Sequence, residues 1–516
     1  MSRTTKCCIA STICLAAMVI APAQAAEYVV DQKHARASDD NAGWSDSPFK
    51  TISKGVAAAK AGDTVLVKAG TYSEMVVVKA SGAEGKPITL KADGRVIVGG
   101  RGKAGIAWAK DVGHVVIDGF EFSGTKGFSN NLGIGPERSG GHHIEIQNCV
   151  LVGVGIRLSS CSDVRIRHCV QTGCKRNGVS LAGCKNCTVE ECDLYNNGAD
   201  ALVVTRKSED CKVLRNVISD HWYDDHPDGL QTYFGVKGLR VEGNLLFNCG
   251  QGFMQQQSTD GVLKNNMIIG THHSGLLLGH SNTHRWDVNG NTIAFTGFQA
   301  IVNTGKDNVI RNNVVLTGGD TKLVVHGEFP VKFKAHHNLL WKSPSGAQYN
   351  PPPGGEPNTV FATPKFRSAP ALGAKACFYI DIWADPNSPA KCRPNRLAVI
   401  GRPLAQHFAV GDHVEVNYDG KVRKVTKVTD EWIEFDPPLA RLHHHPWESV
   451  VNWKDKSKFV WDMRLADDSP GRGIAEGGRD PGSDIDMQAY LKGDFNGDGK
   501  RDLPPRHDVP RISSWE

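Results

Sequence analysis

At 516 residues with a formal net charge of +5, the chain is long enough for several domains, and its charge is too small to favour a nucleic-acid partner. Its 56 glycines, set among many Asn, Val and Ile residues, favour numerous short strands over long helices. Beyond the amino terminus no stretch approaches the roughly 18 apolar residues of a membrane span, so no membrane partner is expected.

The chain opens MSRTTKCCIASTICLAAMVIAPAQAAEYVV, in which Arg3 and Lys6 precede an apolar run and Ala23-Gln24-Ala25 offers a cleavage site. Residues 1–25 are therefore expected to be a secretory signal peptide, and the mature protein secreted or periplasmic. Removal of this segment leaves a charge of +3 and eleven of the 14 cysteines. Nine of those lie between Cys149 and Cys249, several at a repeat spacing, and they read as core packing. Cys377 and Cys392 fit a loop disulfide instead.

Next comes SPFKTISKGVAAAKAGDTVLVKAGTYSE, residues 47 to 74, which looks like the amphipathic cap helix and first coil of a known class of exported repeat proteins. From residue 114 the sequence repeats loosely, as in HVVIDGFEFSG, HHIEIQNCVLVG, SDVRIRHCVQTG and LRVEGNLLFNCG. Alignment superposes Phe120, Cys149, Cys169, Cys192, Asn216, Asn244, Asn266, Asn291, Asn313 and Asn338 at intervals of 20 to 29 residues. Such a period signals a solenoid, and alternating apolar residues broken by Gly or Asn make each unit a few short strands. Like residues on stacked coils sit about 4.8 Å apart, where inward asparagines can form a ladder and small cysteines fill the same slot.

These repeats, with the helix-and-strand stretch before them, resemble the right-handed parallel β-helix proteins of the pectate-lyase-like, carbohydrate-active superfamily. The resemblance implies an all-β solenoid over residues 26–345 with an amino-terminal cap helix. It resumes at RLADDSPGRGIAEGGRDPGSD, which is similar to a closing coil, so residues 464–516 are expected to hold that coil and a tail. Residues 346–463 break the pattern. FAVGDHVEVNYDGKVRKVTKVTDEWIEFDPPL alternates like a small antiparallel barrel with Asp419-Gly420 as its hairpin turn, an inserted β module. The consecutive His443, His444 and His445 fit a solvated loop.

In the tail, GDFNGDGKRDLP places Asp494, Asn496, Asp498 and Asp502 at positions 1, 3, 5 and 9 of a calcium-loop pattern, with Gly499 at the sharp turn. The stretch is similar to half a dockerin repeat. Position 12 is Pro505 where a bidentate glutamate is expected, so the anticipated Ca²⁺ is structural.

The candidate chemistry lies in coils 175 to 285. Aligned strands stack Val179, Leu202, Leu230, Phe253, Leu276 and Ile301 toward the core. The residue two places earlier is Asn177, Asp200, Asp228, Gln251 or Ser274, so Asp200 and Asp228 fall on adjacent coils. Two carboxylates that close either bind a cation or share a proton. The long insertion HWYDDHP brings His226 and Asp225 beside them, with Trp222 and Tyr223 able to stack on a sugar and Pro227 holding Asp228 extended. Arg206, Lys207, Gln231, His272, His273, His280 and Arg285 are expected on the same face.

Three functions fit. A uronate lyase or C5-epimerase needs a base and charge neutralisation: His226 as base, Lys207 or Arg206 for the carboxylate, Asp200 and Asp228 holding calcium. DDHPD also resembles, in a different order, the Asp-Pro-His-Asp signature of mannuronan C5-epimerases. A glycoside hydrolase needs two acids, available among Asp200, Asp224, Asp225 and Asp228. PDGLQ, GQGFMQ and HHSGLLLGH resemble polygalacturonase motifs, but Gln251 and Gly252 stand where that family carries paired aspartates, which argues against it. The third is a glycan-binding or adhesion module without chemistry. The favoured expectation is a monomeric lyase or epimerase acting on an acidic polysaccharide.

Overall fold

The computed structural model describes residues 25–99, 104–124, 132–221, 227–279, 282–297, 299–317, 322–326, 332–341, 351–352, 354–371, 376–379, 392–398, 407–440, 447–456 and 458–507. Residues 1–24, residues 222–226, His280 and His443 to His445 lie outside them.

The strand Glu27–Val30 pairs in parallel with Thr64–Tyr72, and the helix Ile52–Ala58 stands between them. The Thr51 side chain accepts from the Lys54 N–H and caps the helix. The Glu74 carboxylate accepts from the N–H groups of Ile52 and Ser53, an anion at the positive end of the helix. Ile52, Gly55 and Val56 turn inward and close the end of the core, as the sequence led one to expect of a cap.

Each coil thereafter contributes three short parallel strands. The first face includes Gly113–Asp118, His142–Gln147, Arg165–Arg167 and Thr188–Glu190. The second includes Val150–Val152, Val170–Thr172, Asp193–Tyr195 and Val217–His221. The third is an 11-stranded sheet that includes Gly155–Ser159, Val179–Ala182, Leu202–Thr205, Asp228–Tyr233 and Gln251–Gln255. The stack runs as far as Val360–Phe361, which pairs with Leu339–Trp341.

The bend between the first and second faces carries the aligned Cys and Asn column. Cys149, Cys169 and Cys192 are fully buried, unpaired and on successive coils. Burial pushes the thiols of Cys149, Cys169 and Cys249 up, so they stay protonated and inert. From Asn216 onward the slot is polar and satisfied. The Nδ2 of Asn216 donates to Asn244 Oδ1 at 2.9 Å, Asn244 to Asn266 at 2.9 Å, Asn266 to Asn291 at 2.9 Å, and Asn291 to Asn313 and Asn313 to Asn338 at 3.0 Å. Each of these carboxamide oxygens also accepts the preceding asparagine's backbone N–H, for example Asn244 N–H to Asn266 Oδ1 at 2.9 Å.

The inserted module is an open six-stranded antiparallel sheet, made of Ala376–Tyr379, Trp447–Lys454, His413–Val416, Arg423–Val428, Trp432–Asp436 and Arg396–Ala398 in that order. Asp419-Gly420 makes the connection between its third and fourth strands, with Gly420 at φ +69. The Cys377 side chain, half of the expected disulfide, lies outside the described residues. The module's Tyr418, Val451 and Trp453, with Trp461 that follows it, pack against Phe247, Met267 and Phe295 on the outer side of the second face.

The stretch read as a closing coil pairs Asp462–Leu465 antiparallel with Phe366–Ser368, then runs back along the outside of the stack. Gly482 donates to Asn312 O at 2.7 Å, and Asp484 meets Asn265 through a 2.7 Å bond from its Nδ2. Arg506 then grips the buried Asp193 through two bonds of 2.6 and 2.7 Å, and Tyr195 donates to His507 O at 2.8 Å. Leu503 packs on Val150, Val170 and Tyr195. This strap and the module together cover the second face.

Where the second face ends, His221 is fully buried: Nε2 lies 3.1 Å from Leu194 O and Nδ1 accepts the Asn197 N–H at 3.4 Å. Both nitrogens are used by the neutral ring, and burial lowers its pKa from 6.5 to about 4.

Two predictions follow from this architecture. Asn266→Ala removes the acceptor of two buried donors on Asn244, and chemical denaturation should show a loss of about 3 kcal/mol; a loss below ~1 kcal/mol would mean the ladder contributes no net stability. For His221 the unfolded state binds the extra proton between about pH 6.5 and 4, so its contribution is present above 6.5 and lost as pH falls. The stability difference between the parent and His221→Gln should therefore shrink by about 3 kcal/mol from pH 7 to pH 4, measured by denaturant titration at each pH.

Candidate functional site

The strand register settles the stacking inferred from sequence. Leu202 pairs with Leu230, Asp228 with Gln251, and Ser274 with Gln299, so Asp200, Asp228, Gln251, Ser274 and Gln299 form one column at the entry to the third face. The neighbouring Leu column is buried in the core throughout.

Local sequence explains how the aspartates are presented. A Cβ on Gly229 would meet the Leu246 side chain at 2.8 Å and Cys249 Sγ at 3.4 Å, so position 229 faces the core. Leu230 also packs there, while the half-buried Gln231 that follows lies on the outer side of the strand. Gly178, Ala201, Gly229, Gly252, Gly275 and Ala300 repeat this small-residue position coil after coil. Asp228 is fully buried and Asp200 is half-buried; the Asp200 carboxylate accepts the Asp228 backbone N–H at 3.0 Å. Beside them, Ser274 Oγ lies 2.9 Å from His273 Nδ1, and Gln231 Nε2 approaches Met254 Sδ at 3.6 Å.

Other expected members are elsewhere. Arg206 and Lys207 are exposed at the far end of Leu202–Thr205, and six extended residues separate Arg206 from Asp200 by about 20 Å. They do not neutralise the aspartate pair. His272 is fully buried, its Nε2 2.8 Å from Asn248 Oδ1 and its Nδ1 3.3 Å from Ser449 Oγ of the inserted module. It is a joint between helix and module and offers no surface to a substrate. Arg285 is exposed on the first face in an ion pair with Asp260, through bonds of 2.5 and 2.9 Å. Trp222, Tyr223, Asp224, Asp225, His226 and His280 lie outside the described residues.

Arg157 was not singled out from sequence. It occupies the outward column of the third face, in register with Ser180, Val203, Gln231 and Met254. Its Nε and one terminal nitrogen are sealed from solvent without an oxygen acceptor among the described residues, and the guanidinium lies beside the Cys174 thiol. Extending the aligned strands one coil upward, to GIRLS, would have exposed it as the one cation of that column. It stands two coil steps before Asp200, about 10 Å along the stack. Val203, Met254 and Leu277 on the same face are buried, so the polar groups are set in apolar surroundings.

The terminal loop is tightly self-bonded. Asp494 accepts the N–H groups of Gly497 and Gly499 at 2.7 and 2.9 Å, and Asp498 that of Lys500 at 2.8 Å. Asp502 accepts from Phe495 N–H at 2.7 Å and from Asn496 Nδ2 at 3.0 Å. Four oxygen-bearing side chains thus share one turn whose backbone N–H groups favour anionic carboxylates, a donor set suited to a hard cation.

Residues 154–315 match the model of the right handed beta helix region, and residues 35–219 match a family described as a protein of unknown function, DUF1565. The uncharacterized protein YwoF of Bacillus subtilis (strain 168) is 46% identical over 54 residues, 10% of this chain and 12% of that protein. This chain thus matches only a small part of that relative's length. Among solved structures, XylC in complex with xylose aligns at 11% identity with a TM-score of 0.44, covering 83% of this chain and 100% of that one. Pectate lyase Pel9A aligns at 16% and 0.40, covering 63% and 81%. The GH136 lacto-N-biosidase from Eubacterium ramulus aligns at 14% and 0.42, covering 65% and 67%. With its matched coils, its stacked parallel strands and its asparagine ladder, the chain is a right-handed parallel β-helix protein.

Proposed function

We propose that this protein is an exported enzyme acting on an acidic polysaccharide, removing the C5 proton of a uronate in a lyase or epimerase reaction. The observation that carries the reading is the half-buried Arg157, two of whose guanidinium nitrogens are sealed from solvent without an oxygen acceptor among the described residues, on the outer side of the face whose edge bears Asp200 and Asp228. A cation in that state is matched by a planar carboxylate, which a uronate supplies. Neutralising that carboxylate acidifies the C5 proton, and His226, two residues before Asp228, is the base. Gln231, on the outer side of the Asp228 strand, and His273, beside Ser274 of the edge column, are polar contacts for sugar hydroxyls.

The aspartate pair then has a supporting task. Asp200 is held by the Asp228 N–H, and a calcium ion on the two carboxylates would supply further charge neutralisation. The acidic terminal loop is proposed to hold a separate, structural Ca²⁺. Residues 1–25 support export, and the enzyme is proposed to act as a monomer on a glycan.

One observation favours a second reading, glycoside hydrolysis. Adjacent-coil stacking brings the Asp200 and Asp228 carboxylates to one edge of the face, and hydrolysis needs such a pair of acids.

Incubation of the mature protein with acidic and neutral polysaccharides separates these readings. Ultraviolet absorbance from an unsaturated uronate is expected; new reducing ends without it mean hydrolysis, and neither signal with an altered uronate composition means epimerisation. Arg157→Ala should lower kcat/KM on the uronate substrate about 100-fold, and His226→Ala should lower kcat by 10²–10⁴-fold. If both variants stay within a few-fold of the parent, the site lies elsewhere. Chelation should lower Tm in the parent but not in Asp498→Ala; equal curves would reduce the terminal loop to a turn.

A further inference from the structure

Away from that face, three imidazoles meet where two coils of the first face begin. Gly113 pairs with His142 and Val115 with Ile144, so His114 faces His143 across one coil step. Both have left-handed backbones, with φ +55 at His114 and +51 at His143. Their rings lie parallel, 18° apart in plane and 4.8 Å between centroids, which is the coil spacing itself. The His142 ring stands nearly perpendicular to both, at 87° and 86°. It fits because residue 113 is glycine: a Cβ there would come within 2.1 Å of His142 Cε1.

The three rings bring one nitrogen each within 4.8 Å of the others, and His142 Nδ1 is 2.9 Å from His143 Nδ1. Two imidazole nitrogens bound to one ion at about 2.05 Å are separated by that distance when they subtend about 90°. Two of the three, His114 and His143, line a cavity of about 260 Å³ together with Asp163 and Arg165, so an ion has access to them. Asp163, which faces His143 on the following coil, adds negative charge nearby.

We propose that His114, His142 and His143 form a binding site for a divalent transition metal ion, which clips two consecutive coils near the capped end of the helix. Three neutral imidazoles select zinc, copper or nickel over calcium and magnesium, which take oxygen ligands. A second group, His336, His337 and Glu476, has the same ligand count. Its carboxylate is already bonded by Arg311 and Asn312, so a metal there would compete with a guanidinium. The proposal is independent of the reaction assigned above.

The test is calorimetric titration of Zn²⁺ into the mature, metal-stripped protein, with circular dichroism confirming that each variant is folded. One zinc per chain is expected, with a raised Tm and no competition from excess Ca²⁺ or Mg²⁺. His142→Ala and His143→Ala should each weaken binding at least 100-fold. Gly113→Ala, which removes no ligand, should weaken it about tenfold by displacing the His142 ring. Co²⁺ should give a visible ligand-field band that is lost in His142→Ala. Absence of zinc binding, binding unchanged in both histidine variants, or binding abolished only by His336→Ala would each overturn the assignment. In those cases the 2.9 Å contact is an ordinary imidazole hydrogen bond.

Discussion

Everything in this molecule rests on satisfying one buried bend per coil. Turning from the first face to the second puts backbone N–H groups out of reach of water, and an unmade buried hydrogen bond costs about 1–3 kcal/mol. An asparagine carboxamide at the bend solves this with one group. Its oxygen accepts the N–H and the Nδ2 of the asparagine one coil before, and its own Nδ2 reaches back to a carbonyl of that coil, as Asn266 does to Val241 O at 3.0 Å. Because each residue serves the one before it, the ladder fixes register from Asn216 to Asn338. The upstream coils use sulfur instead: Cys192 Sγ sits 3.2 Å from Glu190 O and otherwise fills space. Cys192 is also the junction, its N–H donating to Asn216 Oδ1 at 3.0 Å.

Register in turn decides which surfaces remain for chemistry. On the first face, charges stack with their opposites, as in Arg215 with Glu191 at 2.7 Å, Lys264 with Glu242 at 3.0 Å and Arg311 with Asp287 at 2.8 Å. Such pairs recur along the face, and three histidines gather at its amino-terminal end. The second face is roofed by the inserted sheet and the returning strap. At that junction Glu415 is buried against the Trp453 and Trp461 indoles, which donate to it at 3.0 and 3.1 Å. Burial outweighs those bonds and raises its pKa to about 7. Its stabilising contribution is therefore full below about pH 4.5 and lost as pH rises through 7, opposite in sign to that of His221.

The third face is left, and it sets polar groups into apolar surroundings. Arg157 and Asp228 are both withdrawn from water in a sheet whose neighbouring outward positions are Val203, Met254 and Leu277. Low local dielectric strengthens whatever each group binds, which is the condition an active site needs. The small-residue column from Gly178 to Ala300 leaves room for this close packing, since a Cβ at Gly229 would already meet Leu246 at 2.8 Å.

The sequence by itself determined the solenoid, the cap helix, the asparagine column and the stacking of Asp200 on Asp228, because each is a periodic demand that recurs within 20 to 29 residues and leaves the same residue type in the same slot. It also marked the inserted module, where the period failed. Only the tertiary structure decided that His272 is a joint to Ser449, 177 residues away, that residues 466–507 return along the second face, and that Arg206 stands a strand's length from Asp200. It alone singled out Arg157 and joined His114 to His142 and His143. Those facts depend on which way a side chain leaves a bend and on what distant segment covers it, and neither leaves a periodic trace in the chain.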